Sequence, residues 1–134
     1  MITVDSSVWI DYFNGTQTAQ TQQLDAVLDD SSHDLVVLDV VLMEVLRGYR
    51  YEREWQLANN TLSALPVMTA GGAEVARAAA GMYRQLRAVG VTVRSSIDLL
   101  VGAWCIKQDC ALIHNDRDFA PIQQYHGLPV LGGA

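Results

Sequence analysis

The sequence predicts an α/β fold in which a mostly parallel sheet of about five short strands has helices on both faces. Two observations indicate this fold. Short apolar runs alternate with helical patterns along the whole chain, and glycines stand where turns or helix ends would fall. A chain of 134 residues can bury about two-thirds of its unfolded surface, so we expect a single domain over residues 1–134.

Short runs of aliphatic and β-branched residues predict the strands, beginning with Ile2-Thr3-Val4. Because helices cover both faces of such a sheet, its strands are continuously apolar rather than alternating. The predicted strands lie at 2–4, 35–38, 66–68, 111–114 and 129–131.

Between these runs, apolar residues recur at helical spacing. The predicted helices lie at about 7–13, 18–29, 40–49, 52–63, 72–88, 96–108 and 118–124. The helix at 72–88 is rich in Ala and Arg, and its apolar stripe would pack on the sheet or on a partner. That stripe consists of Val75, Ala79, Met82 and Leu86.

The composition limits the possible classes of protein. No apolar stretch approaches the ~20 residues of a membrane span, and the N-terminus lacks the basic region and cleavage site of a signal peptide. We therefore expect a cytoplasmic protein without a membrane partner. Cys105 and Cys110 lack the spacing and the His neighbours of a zinc site, so we expect buried free thiols.

The net charge of −6 is unevenly distributed. Residues 1–46 carry eight acids and no Lys or Arg, whereas residues 47–94 carry seven Arg against three acids. An acidic protein is a poor general binder of nucleic acid, because attraction to phosphate dominates that affinity. The Arg-rich middle could still hold a polyanion locally, although for this segment alone a solvated helix surface is the better interpretation.

Four acidic residues stand at the edges of apolar runs. Asp5 and Asp116 follow predicted strands, Glu44 lies early in the helix after the second strand, and Asp98 lies in the first turn of its own helix. Because ligands of an open α/β sheet bind at the carboxyl ends of its strands, all four can converge there. Such a cluster suggests a divalent metal, Mg²⁺ or Mn²⁺, that acts on a phosphodiester.

The aspartates also have structural interpretations. Asp5 could cap the helix at 7–13, because Asp is a favoured N-cap residue. Ser95 and Asp98 fit a capping box, and Asp116 or Asp118 could cap the last short helix. Taken singly, each of these interpretations is as good as the metal hypothesis.

Glu44 fits a purely structural role least well. A lone charge among apolar residues is costly to bury, and Arg47 is its only obvious ion-pair partner at helical spacing. The metal hypothesis therefore depends on four acids in one order rather than on any one of them.

That order and spacing resemble the PIN-domain ribonucleases, and most closely the VapC-type toxins of bacterial toxin–antitoxin (VapBC) pairs. The resemblance covers almost the whole chain. It is carried by VDSSVWIDYF at 4–13, MEVLRG at 43–48, IDLLVGA at 97–103 and HNDRDF at 114–119. It implies a PIN-like three-layer sandwich with the sheet as the central layer.

The resemblance also implies the site. The family's catalytic and metal-binding quartet falls on Asp5, Glu44, Asp98 and Asp116. Supporting residues would be Ser7, Asn115 and Asp118. One departure is His114, which stands where relatives often have Ser or Thr. A histidine there could assist proton transfer, but more often such a residue packs or donates a hydrogen bond.

The implied activity is that of a Mg²⁺- or Mn²⁺-dependent endoribonuclease, a hydrolase that leaves 5′-phosphate and 3′-hydroxyl ends. Asp5, Asp98 and Asp116 would ligate metal directly or through water, and Glu44 would complete the shell or orient the attacking water. The identity of the RNA that is cut is not encoded in any motif, since recognition of single-stranded RNA depends on loop shape and stacking.

The implied partners, besides RNA, are a second copy in a homodimer and a cognate VapB-type antitoxin in a higher complex. The antitoxin's C-terminal segment would occupy an apolar groove and obstruct the site. The candidate groove residues are Trp9, Tyr12, Arg47, Tyr49, Arg50, Tyr51 and Trp55. For Trp9 and Tyr12, an ordinary place in the core is at least as good an interpretation.

Other classes fit less well. A phosphoacceptor regulatory domain needs an acidic pair after its first strand, and an aspartate-nucleophile phosphatase needs a second Asp where Ser7 stands. A non-catalytic PIN-like interaction module would be expected to have lost one of the four acids, and all are present. A PIN-fold nuclease of RNA processing without a toxin role stays open, and a neighbouring antitoxin reading frame would separate the two.

Overall fold

A computed structural model of the chain describes residues 1–131 and contains the predicted alternation of strands and helices. The first half of the chain holds β1 (Ile2–Val4), α1 (Ser6–Phe13), α2 (Ala19–Asp29), β2 (Val37–Leu38), α3 (Asp39–Leu46) and α4 (Glu52–Ser63). The second half holds β3 (Val67–Met68), α5 (Ala73–Ala88), α6 (Ser96–Gln108), β4 (Ala111–Ile113) and α7 (Phe119–His126).

The strands are all parallel. β1 pairs with β4, with Ile2 opposite Ala111, and β2 pairs with β3, with Val37 opposite Val67. An isolated parallel bridge between Ile2 and Leu35 joins the two pairs, so the order across the sheet is β4, β1, β2, β3. The carboxyl ends of all four strands therefore face the same way.

The fifth predicted strand, at 129–131, is reduced to one parallel bridge between Val130 and Leu112. Two backbone hydrogen bonds hold it: Leu112 donates to Pro129 O at 2.9 Å, and Leu131 donates to Leu112 O at 3.0 Å. Pro129 has no N–H to extend the ladder, which is one reason why the pairing stays short. The prediction of about five strands is thus corrected to four strands and a bridge.

The predicted strand at 35–38 is divided between two neighbours. Val36 N–H donates to Ile2 O of β1 at 2.9 Å, whereas the next residue, Val37, donates to Pro66 O beside β3 at 2.8 Å. Because consecutive residues turn to opposite neighbours, this segment joins the two strand pairs, and only Val37–Leu38 counts as β2.

The helices match their predicted positions, with small shifts at the ends. α3 ends at Leu46 rather than at 49, just before Gly48. α7 continues to His126, where Gly127 adopts a left-handed conformation (φ 69°) that glycine accepts without strain. The stripe predicted on α5 is confirmed, since all four of its residues are buried.

The core contains both Cys residues as buried free thiols, as predicted. α6 and α7 approach closely at Gly102, where a Cβ would lie 3.2 Å from Ile122 Cγ2. This close contact fixes α7 against the helix that carries Asp98. No helix among residues 1–131 is both long and apolar enough to span a membrane.

Candidate functional site

The four predicted acids lie together at the carboxyl end of the sheet, and Asp118 joins them. The charges of Asp5, Asp116, Glu44 and Asp118 all raise the pKa of Asp98, after burial as the largest cause, to about 7. Charges act on one another in this way only at short range. We call these five residues the acidic cluster.

Asp5 is positioned by β1 and by the start of α1. Its backbone N–H donates to Ile113 O at the end of β4, at 2.9 Å, and one carboxylate oxygen accepts from Ser7 Oγ at 2.6 Å and from Ser7 N–H at 3.3 Å. The other oxygen, Oδ1, is buried without any hydrogen-bond partner among the described residues. Asp5 therefore caps α1 with one oxygen and leaves the second free for a ligand.

Burial also raises the pKa of Asp5, and the charge of Asp116 adds to that rise, although the bonds from Ser7 and Ser6 oppose it. The carboxylate is only 2% exposed. A buried acceptor without a donor is costly, so this oxygen fits a cation ligand better than it fits a cap alone.

Glu44 reaches the acidic cluster from α3. Its Oε1 accepts from Ser6 Oγ at 3.0 Å, whereas the predicted ion pair with Arg47 is long, at 4.0 Å, and involves a guanidinium that is 66% exposed. Burial raises the pKa of Glu44, and Asp5 raises it further; the bond from Ser6 and the charge of Arg47 lower it. Arg47 therefore does little to neutralise this carboxylate.

Asp98 lies in the first turn of α6 and is 6% exposed. Its N–H donates to Ser95 Oγ at 3.2 Å, which is half of the predicted capping box. The reciprocal bond, from Ser95 N–H to the Asp98 carboxylate, is absent from the hydrogen bonds of residues 1–131. Ser95 thus supplies the cap, and the Asp98 side chain stays available to the acidic cluster.

Asp116 and Asp118 follow β4 in the loop before α7. Asp116 Oδ1 accepts from Asp118 N–H at 2.9 Å, while Asp118 makes no side-chain cap to α7. Carboxylate oxygens of Asp98, Asp116 and Asp118 all lie within 4.8 Å of one another. Three oxygens this close can coordinate one ion together.

The donor set fits a hard divalent cation. Every side chain of the acidic cluster offers carboxylate oxygen, the ligand type that Mg²⁺ and Mn²⁺ take in proteins. Like charges at this separation repel, and the raised pKa of Asp98 records that repulsion together with its burial. A bound cation would relieve it and would also satisfy Asp5 Oδ1.

The other predicted supporting residues differ in whether they contact the acidic cluster. Ser7 contacts Asp5, as described above. Asn115 is exposed, and within the described part of the chain its side chain makes no hydrogen bond to the acidic cluster. His114 lies directly beside the cluster, because its Nδ1 accepts from Asp116 N–H at 3.3 Å.

The residues predicted to line the antitoxin groove differ in burial. Trp9 is wholly buried and packs against Tyr12 and Phe13, so the expectation that it faces a groove is corrected: it belongs to the core. The half-buried Tyr12 also packs against the hydrophobic core. Arg47 is exposed beside Glu44.

The remaining groove candidates form one surface. Tyr49, Arg50, Tyr51 and Trp55 line a hollow of about 170 Å³, together with Glu52. We call these five residues the aromatic surface. Tyr49 also lines a neighbouring hollow of about 340 Å³ between the end of α1 and α4, and its buried hydroxyl has no partner among the described residues.

Two residues that contact the site were not predicted from the sequence. Ser6 bonds Glu44 across 38 positions of sequence, and Gln123 Oε1 lies 3.3 Å from His114 Nε2. For Ser6, its place next to Asp5 could have been a signal. For Gln123, no local signal exists, because its contact depends on how α7 packs.

Comparisons with known proteins agree with this architecture. A family model described as the PIN domain matches residues 2–124. Over 128 residues, 96% of each chain, the protein is 30% identical to the proteins named VapC ribonuclease Mb1587 of Mycobacterium bovis and Ribonuclease VapC11 of Mycobacterium tuberculosis.

A solved structure shares the fold. It is a chain in the crystal structure of VapBC2 from Rickettsia felis bound to a DNA fragment from their promoter, with a TM-score of 0.73 and 18% identity. The match covers 91% of this chain and 93% of that one. The family match, the relatives and the shared fold confirm the resemblance drawn from the sequence, and the chain belongs to the PIN-domain family.

Proposed function

We propose that the protein is a divalent-metal-dependent endoribonuclease and the toxin of a type II toxin–antitoxin pair. The observation that carries the proposal is the acidic cluster: carboxylates from four separate segments meet, and among residues 1–131 their one ion pair is the long contact of Glu44 with Arg47, at 4.0 Å. The names of the relatives, which are VapC ribonucleases, supply the substrate class.

The metal would be held by Asp98, Asp116 and Asp118, whose oxygens are close together, and by the free Oδ1 of Asp5. Mg²⁺ or Mn²⁺ is the expected ion, because the donors are all carboxylates. When bound, such an ion supplies an activated water and offsets negative charge on the phosphate.

The residues of the chain have distinct tasks in this proposal. Ser7 donates to Asp5 Oδ2, which leaves Oδ1 free and would allow it to bind a cation. Ser6 donates to Glu44 Oε1, which leaves Oε2 of Glu44 to accept a hydrogen bond from the attacking water. No Ser, Cys or Thr nucleophile is needed, so the reaction proceeds without a covalent enzyme intermediate.

The proposed antitoxin site is the aromatic surface. The Tyr51 ring, which is 60% exposed, would bury apolar area against a partner segment, beside the half-buried rings of Tyr49 and Trp55. Arg50, whose guanidinium lies 5.5 Å from the centroid of the Tyr51 ring, would meet an acidic group of that segment. A homodimer, implied by the family, completes the proposed assembly.

Expression of the wild type and of Asp5→Asn in bacteria tests the activity. The substitution keeps the shape and the acceptor for Ser7 N–H but removes the charge from the buried position. We expect growth arrest and discrete new RNA 5′ ends with the wild type alone, and rescue by the small protein encoded beside the gene. The exposed Asp25→Asn serves as the matched control and should arrest growth like the wild type.

Each outcome separates the candidates. Cleavage without rescue by the neighbouring protein would favour an RNA-processing nuclease over a toxin. Equal behaviour of wild type and Asp5→Asn, with no cleavage when Mg²⁺ or Mn²⁺ is supplied, would refute the nuclease and leave an interaction module.

A further inference from the structure

His114 is held on three sides beside the acidic cluster. Its Nδ1 accepts from the backbone N–H of Asp116 at 3.3 Å, and its Nε2 lies 3.3 Å from Oε1 of Gln123. Its ring packs on Phe119, with centroids 4.9 Å apart. The imidazole thus links the loop that carries Asp116 to two residues of α7.

These contacts determine which nitrogen of the ring carries the hydrogen. A backbone N–H can only donate, so Nδ1 must be free of hydrogen in order to accept from Asp116. The hydrogen then resides on Nε2, which donates to Oε1 of Gln123. The amide orientation of Gln123 follows as well, since its NH₂ group could not accept from Nε2.

We propose that Gln123 and His114 are a positioning pair for the metal site: Gln123 reinforces the Nε2–H form of His114 that the Asp116 N–H requires, and His114 Nδ1 fixes the backbone of Asp116. The inference rests on the proposed function only in its last step, where Asp116 is a metal ligand. Neither residue touches the metal or the substrate in this scheme, so both act through Asp116.

A short series of contacts connects Gln123 on α7 to Asp116. Asp116 N–H is fixed by His114, and Asp116 Oδ1 is fixed by Asp118 N–H at 2.9 Å, so both ends of this residue are restrained. α7, in turn, is fixed against α6 by the contact of Gly102 with Ile122. The same helix that carries Asp98 therefore supports the position of Asp116 through Gln123 and His114.

Packing of the ring on Phe119 is the competing explanation for His114. The two explanations differ in what the ring nitrogens must do. A purely packing role needs only a flat side chain of similar size, and it makes no demand on the tautomer. A positioning role needs an acceptor at Nδ1, and it needs an acceptor at Gln123 to hold the hydrogen on Nε2.

The first test is the tautomer itself, measured by long-range ¹H–¹⁵N NMR of the imidazole at neutral pH in metal-free protein. We expect the Nε2–H form in the wild type. Gln123→Ala leaves the Asp116 N–H as the remaining contact that favours Nε2–H, so the share of the Nδ1–H form should rise above that of the wild type. Gln124→Ala, which changes the exposed neighbour on the same helix, is the matched control and should resemble the wild type.

The second test is the affinity for Mn²⁺, measured by calorimetry. We expect Gln123→Ala to raise the Kd about tenfold, because partners that orient a ligand are worth about that much. At position 114, His114→Asn places an acceptor near the former Nδ1, whereas His114→Gln places one near the former Nε2. We expect His114→Asn to bind Mn²⁺ more tightly than His114→Gln.

The results that would overturn the proposal are specific. An Nδ1–H tautomer in the wild type contradicts the hydrogen-bond assignment, whether or not metal binds. If Gln123→Ala changes neither the tautomer of His114 nor the Kd for Mn²⁺, His114 and Gln123 have only a packing role. If the wild type fails to bind Mn²⁺ at all, the proposed metal function falls instead, while the tautomer measurements still decide whether Gln123 orients His114.

Discussion

The acidic cluster and the aromatic surface are both functional candidates, but they are built in opposite ways. The acidic cluster is assembled from four segments, is largely buried, and each of its side chains with a shifted pKa has it raised. The aromatic surface comes from one continuous segment, 49–55, and much of it is exposed. The first brings several negative charges together, and the second is a mixed aromatic and charged surface.

This difference predicts what each region loses on substitution. In the acidic cluster, one altered group changes the charge balance of all the others, because each carboxylate acts on the pKa of Asp98. On the aromatic surface, a lost ring removes contact area and little else. Substitutions in the cluster should therefore affect catalysis, and substitutions on the surface should affect only a partner's affinity.

The largest expected effect is that of Asp98→Asn. We expect activity on RNA to fall at least about 100-fold, because the residue is a proposed metal ligand at the centre of the acidic cluster. In metal-free protein the same change should raise the melting temperature at pH 8, since it removes one of several repelling buried charges. Nuclease assays and calorimetry on the same samples measure both effects.

The control for this prediction is Asp109→Asn at the other end of α6. Asp109 is exposed and adopts φ 51°, a conformation that Asn also tolerates. It should leave both activity and melting temperature unchanged. If Asp98→Asn retained activity close to the wild type, the acidic cluster would not be the catalytic centre.

The next largest effect is on the partner. Tyr51→Ala should weaken binding of the cognate antitoxin about tenfold, a usual cost for truncating an aromatic anchor, and should leave nuclease activity unchanged. Tyr125→Ala removes a tyrosine of similar exposure, 51% against 60%, from α7 and is the matched control. Surface plasmon resonance with immobilised antitoxin gives both affinities; equal losses for the two variants would argue against a groove at Tyr51.

A smaller effect concerns pH. The pKa of Asp98 is raised in the folded protein from an ordinary 3.8 to about 7. Between these values the folded state binds a proton that the unfolded state has released, so metal-free stability should fall as pH rises from about 4 to about 7. We expect the melting temperature to drop by roughly 4 °C or more across this window.

Two comparisons check the origin of that slope. Asp98→Asn should reduce it, because the Asn side chain does not titrate, and the raised pKa values of Asp5 and Glu44 account for the slope that is left. Saturating Mn²⁺ should also reduce or reverse it, since the ion favours the ionised carboxylates. A slope that is the same in wild type and Asp98→Asn would assign the pH dependence to other groups.

The acidic cluster could be predicted from the sequence and the aromatic surface only in part, for a physical reason. Asp5 and Asp116 follow strands, and in a parallel sheet the ends of strands must lie at one edge, so topology alone brings these two together. Whether an aromatic ring is buried depends on three-dimensional packing. Trp9 and Trp55 look alike in sequence, yet Trp9 is wholly buried and Trp55 lines a hollow.

The details of the site were not predictable for the same reason. The sequence suggested either a cap or a ligand for Asp5, and the structure shows that one carboxylate can do the first and leave an oxygen for the second. The contact of Gln123 with His114 depends on how α7 packs against Gly102 of α6. The fifth strand was overestimated because an apolar run does not reveal how many of its residues will pair.

The smallest expected effect is that of Ser7→Ala. This variant tests whether Asp5 both caps α1 and binds the metal. The substitution removes the 2.6 Å bond to Asp5 Oδ2 but keeps the backbone cap from Ser7 N–H, so α1 should stay intact by circular dichroism. Without that bond the pKa of Asp5 should rise further, because the bond lowers it. The Kd for Mn²⁺ should therefore increase, by a few-fold to about tenfold.

Ser6→Ala is the matched control, since the Ser6 side chain donates to Glu44, while its backbone N–H, which acts on Asp5, is kept in the variant. If Glu44 acts mainly on water, Ser6→Ala should lower the rate of RNA cleavage more than the affinity for Mn²⁺, the reverse of the pattern expected for Ser7→Ala. The two serines are adjacent, and each side chain donates to one carboxylate. A comparison of the two variants therefore distinguishes metal binding by Asp5 from water orientation by Glu44. Identical effects of both variants on affinity and rate would show that Asp5 and Glu44 act as one unit.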